Sequence, residues 1–196
     1  MPLKSTEKTL RKCMRKIVRK KMLKNISVTE ICEMAEIGKR TFYHYYKDKY
    51  ALFEDTYIKE FYEKLDITDD VGIYETYLRI AHQMIEEKEF FSHAIISREQ
   101  NGFWDILCNL LVQTTAARFT SDSFIDEAKE FYIRKDIEIT LHYFDQWIRS
   151  GFKQSPEEMV EYLRICNAIH GKWQYQISTG RTPDSFSMDK IEKNEW

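Results

Sequence analysis

Glycine and proline are scarce, at six and three in 196 residues. A chain this poor in turn formers, with Leu, Ile, Phe and Met recurring every three or four positions, is neither a sheet protein nor a disordered one, and an all-α fold is predicted. The four cysteines, Cys13, Cys32, Cys108 and Cys166, form no CxxC pair and no zinc-type spacing. Each falls on an apolar position of a helical pattern, so buried reduced thiols are expected. No apolar run approaches the ~20 residues of a membrane span, and the N-terminus is polar and basic rather than signal-like. A cytoplasmic protein without a membrane partner is the expectation. Gly-rich phosphate loops, GxSxG and HExxH are absent, and His82, His93, His142 and His170 stand isolated. No catalytic residue, metal or cofactor is therefore expected.

What is present is a lopsided charge distribution. Residues 1 to 50 hold 14 Lys/Arg against 5 Asp/Glu, a net +9, and residues 51 to 196 hold 16 against 27, a net −11. The overall −2 hides a cationic end and an acidic body. That asymmetry points to a polyanion at the N-terminal end and repulsion of it by the remainder.

The stretch 27 to 46, SVTEICEMAEIGKRTFYHYY, is the one whose chemistry names a partner. Before it, residues 5 to 24 place Leu10, Cys13, Met14, Ile17 and Val18 on an amphipathic stripe, with Lys8, Arg11, Lys12, Arg15, Lys16, Arg19 and Lys20 opposite. The basic face suits solvent, a membrane surface or DNA phosphates. Ser27 with Glu30 forms an S-x-x-E capping box, so a helix starts at Val28. Its pattern stops at Glu36-Ile37-Gly38, and a second helix runs from Lys39 to Tyr46 with Phe42 and Tyr46 turned inward. Helix, short turn, helix is the helix-turn-helix unit, whose second helix enters a major groove. Lys39 and Arg40 can bond phosphate or guanine, Thr41 can bond phosphate or pack on a thymine methyl, and Tyr43 and His44 add polar-tipped rings on the side away from Phe42.

From Leu10 to about Tyr62, above all in VTEICEMAEIGKRTFYHYYKDKYALF, the chain resembles the DNA-binding domain of the tetracycline-repressor (TetR) family of bacterial transcription regulators. The resemblance implies that Ser27 caps the second helix and that Thr29 faces DNA. It implies further that Lys39, Arg40, Thr41, Tyr43 and His44 line the groove and that Lys49 takes a phosphate. Three departures stand out. Glu36 and Gly38 replace a usual turn Gly and a usual Ser cap. A Gly at the usual end of the first helix is replaced near Met22. Tyr45-Tyr46 replaces the common His-Phe.

Beyond this, Asp48 can cap a fourth helix over roughly Lys49 to Leu65, a lever between basic module and acidic body. After a linker at Asp66–Gly72, helices are predicted over Ile73–Glu87, Glu89–Ser97, Phe103–Phe119, Asp126–Ser150 and from Pro156 to about Ser178. Turns fall at Arg98–Gly102 and Thr120–Ser123. Gly151 ends the long helix, and Pro156 with Glu157 and Glu158 opens the last one. The apolar stripes of the body are core first. The resemblance adds that TetR-family bodies often enclose a ligand cavity, for which Tyr77, Met84, Phe103, Trp104 and Leu107 are the candidates. The last two helices carry more apolar surface than one chain can bury. In the family such a pair forms a four-helix bundle with a second copy, which nominates Tyr143, Trp147, Tyr162, Cys166, Ile169 and Trp173 as the dimer interface. Trp-Ile-x-x-Gly followed by Ser-Pro-Glu-Glu-Met also looks like the C-terminal domain of a Firmicutes-type TetR subgroup.

The expected architecture is an N-terminal three-helix helix-turn-helix domain, residues 1–47 and to about 65 with the linking helix. A helical regulatory and dimerisation domain follows over 66–180, then a flexible tail over 181–196. The expected function is a homodimeric, ligand-responsive repressor reading a palindromic operator in double-stranded DNA, with a small-molecule effector of unknown identity. Its rivals are an activator or coactivator working through a protein partner with no cavity, a helical enzyme, and a membrane-bound basic helix.

Overall fold

A computed structural model describes residues 3–68, 71–95, 102–118 and 126–180, and among them every regular element is helical. The order is α1 (Leu3–Val18), a 3-10 turn (Leu23–Asn25), α2 (Val28–Ala35), α3 (Lys39–Tyr45) and α4 (Lys49–Glu60). A second 3-10 turn (Tyr62–Leu65) leads to α5 (Ile73–Glu86), α6 (Lys88–Ile95), α7 (Phe103–Arg118), α8 (Asp126–Arg149) and α9 (Pro156–Thr179). The expected tail and most of the Arg98–Gly102 turn lie outside the described residues.

α1 stops six residues short of the expected end. Continuing the buried stripe of Leu10, Met14, Ile17 and Val18 would put Lys21, Lys24 and Asn25 inside. The chain instead tightens, with the Lys20 and Lys21 amides donating to the Ile17 carbonyl, and a 3-10 turn swings Leu23 fully into the core. α1 then packs along α4, α2 and α6, so like α4 it touches both halves of the chain.

The linking helix also ends early. α4 terminates at Glu60, and Phe61 leaves helical geometry at φ −130° and ψ −65°. The Phe61 ring is buried against Phe90 (centroids 4.5 Å apart) and Tyr57 (6.1 Å), and its carbonyl accepts from Gln83 Nε2 at 3.0 Å. Burying the ring and giving the freed carbonyl a side-chain donor offset the lost turn of helix. The expected single lever of 49–65 is therefore a helix, a break and a 3-10 turn.

In the body, α7 lies along α8 and α5 along α9. α9 opens with a complete capping box: Ser155 Oγ accepts from the Glu158 amide at 3.1 Å and Glu158 Oε2 accepts from the Ser155 amide at 2.9 Å. The α8–α9 corner is built on Gly151 and Phe152, both at positive φ (82° and 60°). It is closed by the Trp147 indole, which donates to the Gln154 carbonyl at 3.0 Å and packs edge-on to Phe152. The Trp-Ile-x-x-Gly pattern thus has a structural reading as a corner lock. No described helix is long and apolar enough to cross a membrane.

Candidate nucleic-acid interface

The interface is built on α2 and α3. Ser27 has extended backbone and its Oγ accepts from the Glu30 amide at 3.1 Å, which fixes the start of α2. The reciprocal half of the expected capping box is replaced: the Glu30 carboxylate pairs with Lys21 Nζ at 2.5 Å. Glu36 takes the left-handed conformation (φ 55°, ψ 42°) that ends α2, and the Ile37 amide donates to the Cys32 carbonyl at 3.0 Å. A residue with a Cβ in this region is strained by ~1 kcal/mol, which is the consequence of the missing turn glycine. Gly38 precedes α3 without a side-chain cap.

α3 has one buried face and one exposed face. Phe42 is fully buried, Tyr46 nearly so, and Tyr45 half so; Lys39, Arg40, Thr41, Tyr43 and His44 are all exposed. Tyr43 is 55% exposed although its ring meets Phe42 edge-on at 5.4 Å, so it is held from below and free at its hydroxyl end. Thr29 on α2 and Ser27 at its N-cap are also exposed, with Ser27 Oγ engaged in the cap.

Lys49 is placed differently from the expectation. Its ammonium donates to the carbonyls of Leu23 (3.0 Å), Lys24 (2.8 Å) and Ile26 (2.9 Å) and lies 5.0 Å from the Tyr50 ring centroid. Three donors meeting three carbonyls leave no proton for a phosphate. Lys49 pins the start of α4 to the chain entering α2.

The basic face of α1 divides by residue type. Lys8, Lys12, Lys16 and Lys20 are exposed. Arg11 binds Asp55 of α4, Arg15 pairs with Glu87 and Glu60, and Arg19 pairs with Glu87. The arginines, spaced by four, turn to carboxylates of α4 and of the α5 end, which leaves the lysines of this face for solvent or phosphate. Sequence reasoning also missed the contact that holds the end of α3, in which Tyr46 Oη donates to Asp55 Oδ2 at 2.6 Å. The available signal was a tyrosine standing where phenylalanine is common.

Of the effector-site candidates, Tyr77, Met84, Phe103 and Leu107 are buried and Trp104 is half-buried. Phe103 and Trp104 come together (5.1 Å) beside Tyr57 (5.0 Å from Phe103), whereas Tyr77 stands against Phe144 on α8. Burial pushes the Tyr57 phenol well above its usual pKa of 10. The Tyr57 hydroxyl and the Trp104 indole nitrogen are buried with no hydrogen-bond partner among the described residues.

Of the dimer candidates, Tyr162 and Trp173 are 66% and 64% exposed, and Tyr143, Cys166 and Ile169 are half-buried. Trp147 is corrected: it is 3% exposed and belongs to the corner lock, so it offers nothing to a second chain. Tyr132 and Ile139 on α8, 64% and 54% exposed, were not anticipated; they share a helix face with Tyr143 at spacings of seven and four. Cys13, Cys32 and Cys108 are buried free thiols and Cys166 is half-buried. No group of three or more His, Cys, Asp or Glu among the described residues is placed to hold a metal.

Residues 23–56 match the family model for bacterial regulatory proteins of the tetR family, and residues 73–167 match the model for a transcriptional regulator C-terminal region. The two matches take in about two thirds of the chain. No curated protein matches it. Among solved structures, the dihydroxyacetone kinase operon activator DhaS is similar over 85% of this chain and 94% of that chain, with a TM-score of 0.50 and 20% identity, a likeness of fold.

Proposed function

The chain carries the helix-turn-helix and C-terminal domains of a TetR-family regulator, and from that premise we propose that it is a homodimeric repressor that reads a palindromic operator and releases it on binding a small molecule. The observation that carries the DNA-binding part is α3 itself. Five polar or aromatic side chains, Lys39, Arg40, Thr41, Tyr43 and His44, are exposed together on a helix whose other face is anchored by Phe42. Thr29 joins them from α2. We read residues 1–47, extended by α4, as the DNA-binding domain and 66–180 as the regulatory one, with the C-terminal pattern around Trp147 and Ser155 of the Firmicutes type.

Dimerisation is a physical requirement of this reading. One seven-residue recognition helix reaches only a few base pairs, and two held about 34–36 Å apart read successive turns of the groove. Tyr132, Ile139 and Tyr143 on α8 with Tyr162, Cys166, Ile169 and Trp173 on α9 supply an apolar face suited to a second copy. The effector reading is supported by the buried, unpartnered Tyr57 hydroxyl and Trp104 indole, because each such group costs about 1–3 kcal/mol until a partner reaches it. An effector bonded there would act on α4 through Tyr57 and on α7 through Trp104. It lowers DNA affinity only as far as it binds the two states differently.

The test is selection of random double-stranded fragments by the purified full-length protein. The expected product is an inverted repeat with half-sites about one helical turn apart; the absence of any enriched sequence overturns the DNA-binding reading. Transcription from a template carrying the selected site then separates repression from the activation suggested by the operon activator of similar fold.

A further inference from the structure

Three helices meet at the C-terminal end of α3. Tyr46 Oη donates to Asp55 Oδ2 at 2.6 Å, and Arg11 Nη1 donates to the same oxygen at 2.9 Å. The Tyr46 ring is 9% exposed and lies 6.1 Å from the Phe42 ring, and the Tyr46 amide donates to the Phe42 carbonyl at 3.0 Å. The last turn of the recognition helix is thus tied to α4 through a carboxylate and to α1 through a guanidinium. Hydrogen bonds to ionised groups are shorter and roughly twice as strong as neutral ones. A phenylalanine here keeps the ring packing and loses the tie.

We propose that Tyr46 is a positioning residue for DNA recognition, its hydroxyl acting through Asp55 and Arg11 to fix the angle at which α3 presents Arg40, Tyr43 and His44 to the groove. Tyr46 touches no base itself, since its ring is inside the domain. Base-edge hydrogen bonds demand a fixed geometry, and bidentate ones most of all. Phosphate contacts made by lysine are point charges at the end of flexible stems and tolerate a rocking helix. Loosening α3 should therefore weaken specific binding and spare non-specific binding. The same three residues make α1 a mechanical member. Arg11 reaches the end of the recognition helix through Asp55 and, one and two turns on, Arg15 and Arg19 reach Glu87 at the end of α5.

This inference rests on the DNA-binding reading, and one experiment separates the two. Full-length wild type and Tyr46→Phe are titrated by fluorescence anisotropy against the selected operator and a scrambled duplex at several salt concentrations, with the active fraction of each preparation measured. One hydrogen bond to a charged group corresponds to about a ten- to hundredfold effect. Operator affinity should fall by that factor, with scrambled-duplex affinity and the salt slope unchanged. A merely structural role would lower both affinities together in proportion to the active fraction. Asp55→Ala should lose specificity alone, and adding Tyr46→Phe to it should change nothing further. An unchanged operator-to-scrambled ratio in Tyr46→Phe overturns the inference while leaving the DNA-binding reading intact; a wild type that selects no sequence overturns that reading first.

Discussion

Arg15 of α1 and Arg19 one turn later bind the two oxygens of a single carboxylate, Glu87, at the C-terminal end of α5. This clamp joins the helix that braces the helix-turn-helix to the body without passing through α4. Beside the broken connection at Phe61, it gives the helix-turn-helix a second physical link to the body.

The clamp makes stability depend on pH in a definite direction. Burial pushes the Glu87 carboxyl up, but the hydrogen bonds from Arg19 and Arg15 outweigh it and leave the group below its usual 4.5. A carboxylate with a lowered folded pKa stabilises the fold above the unfolded value and loses that contribution as pH falls through the folded one. Glu87→Gln should cost about 1 kcal/mol at neutral pH, and the gap to wild type should close below pH 4.5. Urea unfolding at pH 7 and at successively lower pH checks it; a gap of constant size would refute the assignment.

Replacing Lys49 separates its internal role from a phosphate contact. Lys49→Met leaves the carbonyls of Leu23, Lys24 and Ile26 without this donor, and should destabilise the protein by about 1–3 kcal/mol. The salt slope of DNA binding by the folded fraction should not change, because no counterion release is lost. Lys39→Ala, on the exposed start of α3, should instead reduce that slope by about 1.

Arg40→Ala and Tyr43→Ala should each cost about 1–3 kcal/mol of operator affinity. Both side chains are exposed, so thermal unfolding should barely shift. Gel-shift titration of the two variants against the selected operator measures the loss, and affinities equal to wild type would remove α3 from the interface.

Glu36→Gly should stabilise the chain by about 1 kcal/mol by relieving the left-handed backbone at that position. In a protein of this size that is a rise of about 2–4 °C in Tm, readable by circular dichroism.

Tyr162→Asp or Trp173→Asp, at exposed positions of α9, should yield folded monomers in analytical ultracentrifugation and weaken operator binding. Trp147→Ala should behave oppositely. Removing the buried indole should cost about 3–5 kcal/mol of stability, with no direct effect on association.

Much of the fold was legible because its signals are local. Ser27, Asp48 and Ser155 cap helices through hydrogen bonds that span three residues, and the 3.6-residue spacing of Leu10, Met14 and Ile17 or of Phe42 and Tyr46 says which face turns inward. The break of α4 at Phe61, the inward turn of Trp147 and the internal pairing of Lys49 were not legible, for a common reason. Each residue is in a sequence context consistent with its expected role, and each is claimed by a partner far from that context: Gln83 and Phe90 for Phe61, the α8–α9 corner for Trp147, three carbonyls before α2 for Lys49.

By itself, then, the chain determined an all-helical fold, a helix-turn-helix at 27–46 and the cationic and acidic halves, since periodicity, capping and charge counts need only near neighbours. Only tertiary structure decided which cations remain for DNA. Arg11, Arg15 and Arg19 have the same charge and the same helical spacing as Lys8, Lys12, Lys16 and Lys20. The packing of α1 on α4 and α6 is what puts the arginine row beside Asp55, Glu60 and Glu87, leaving the lysine row exposed.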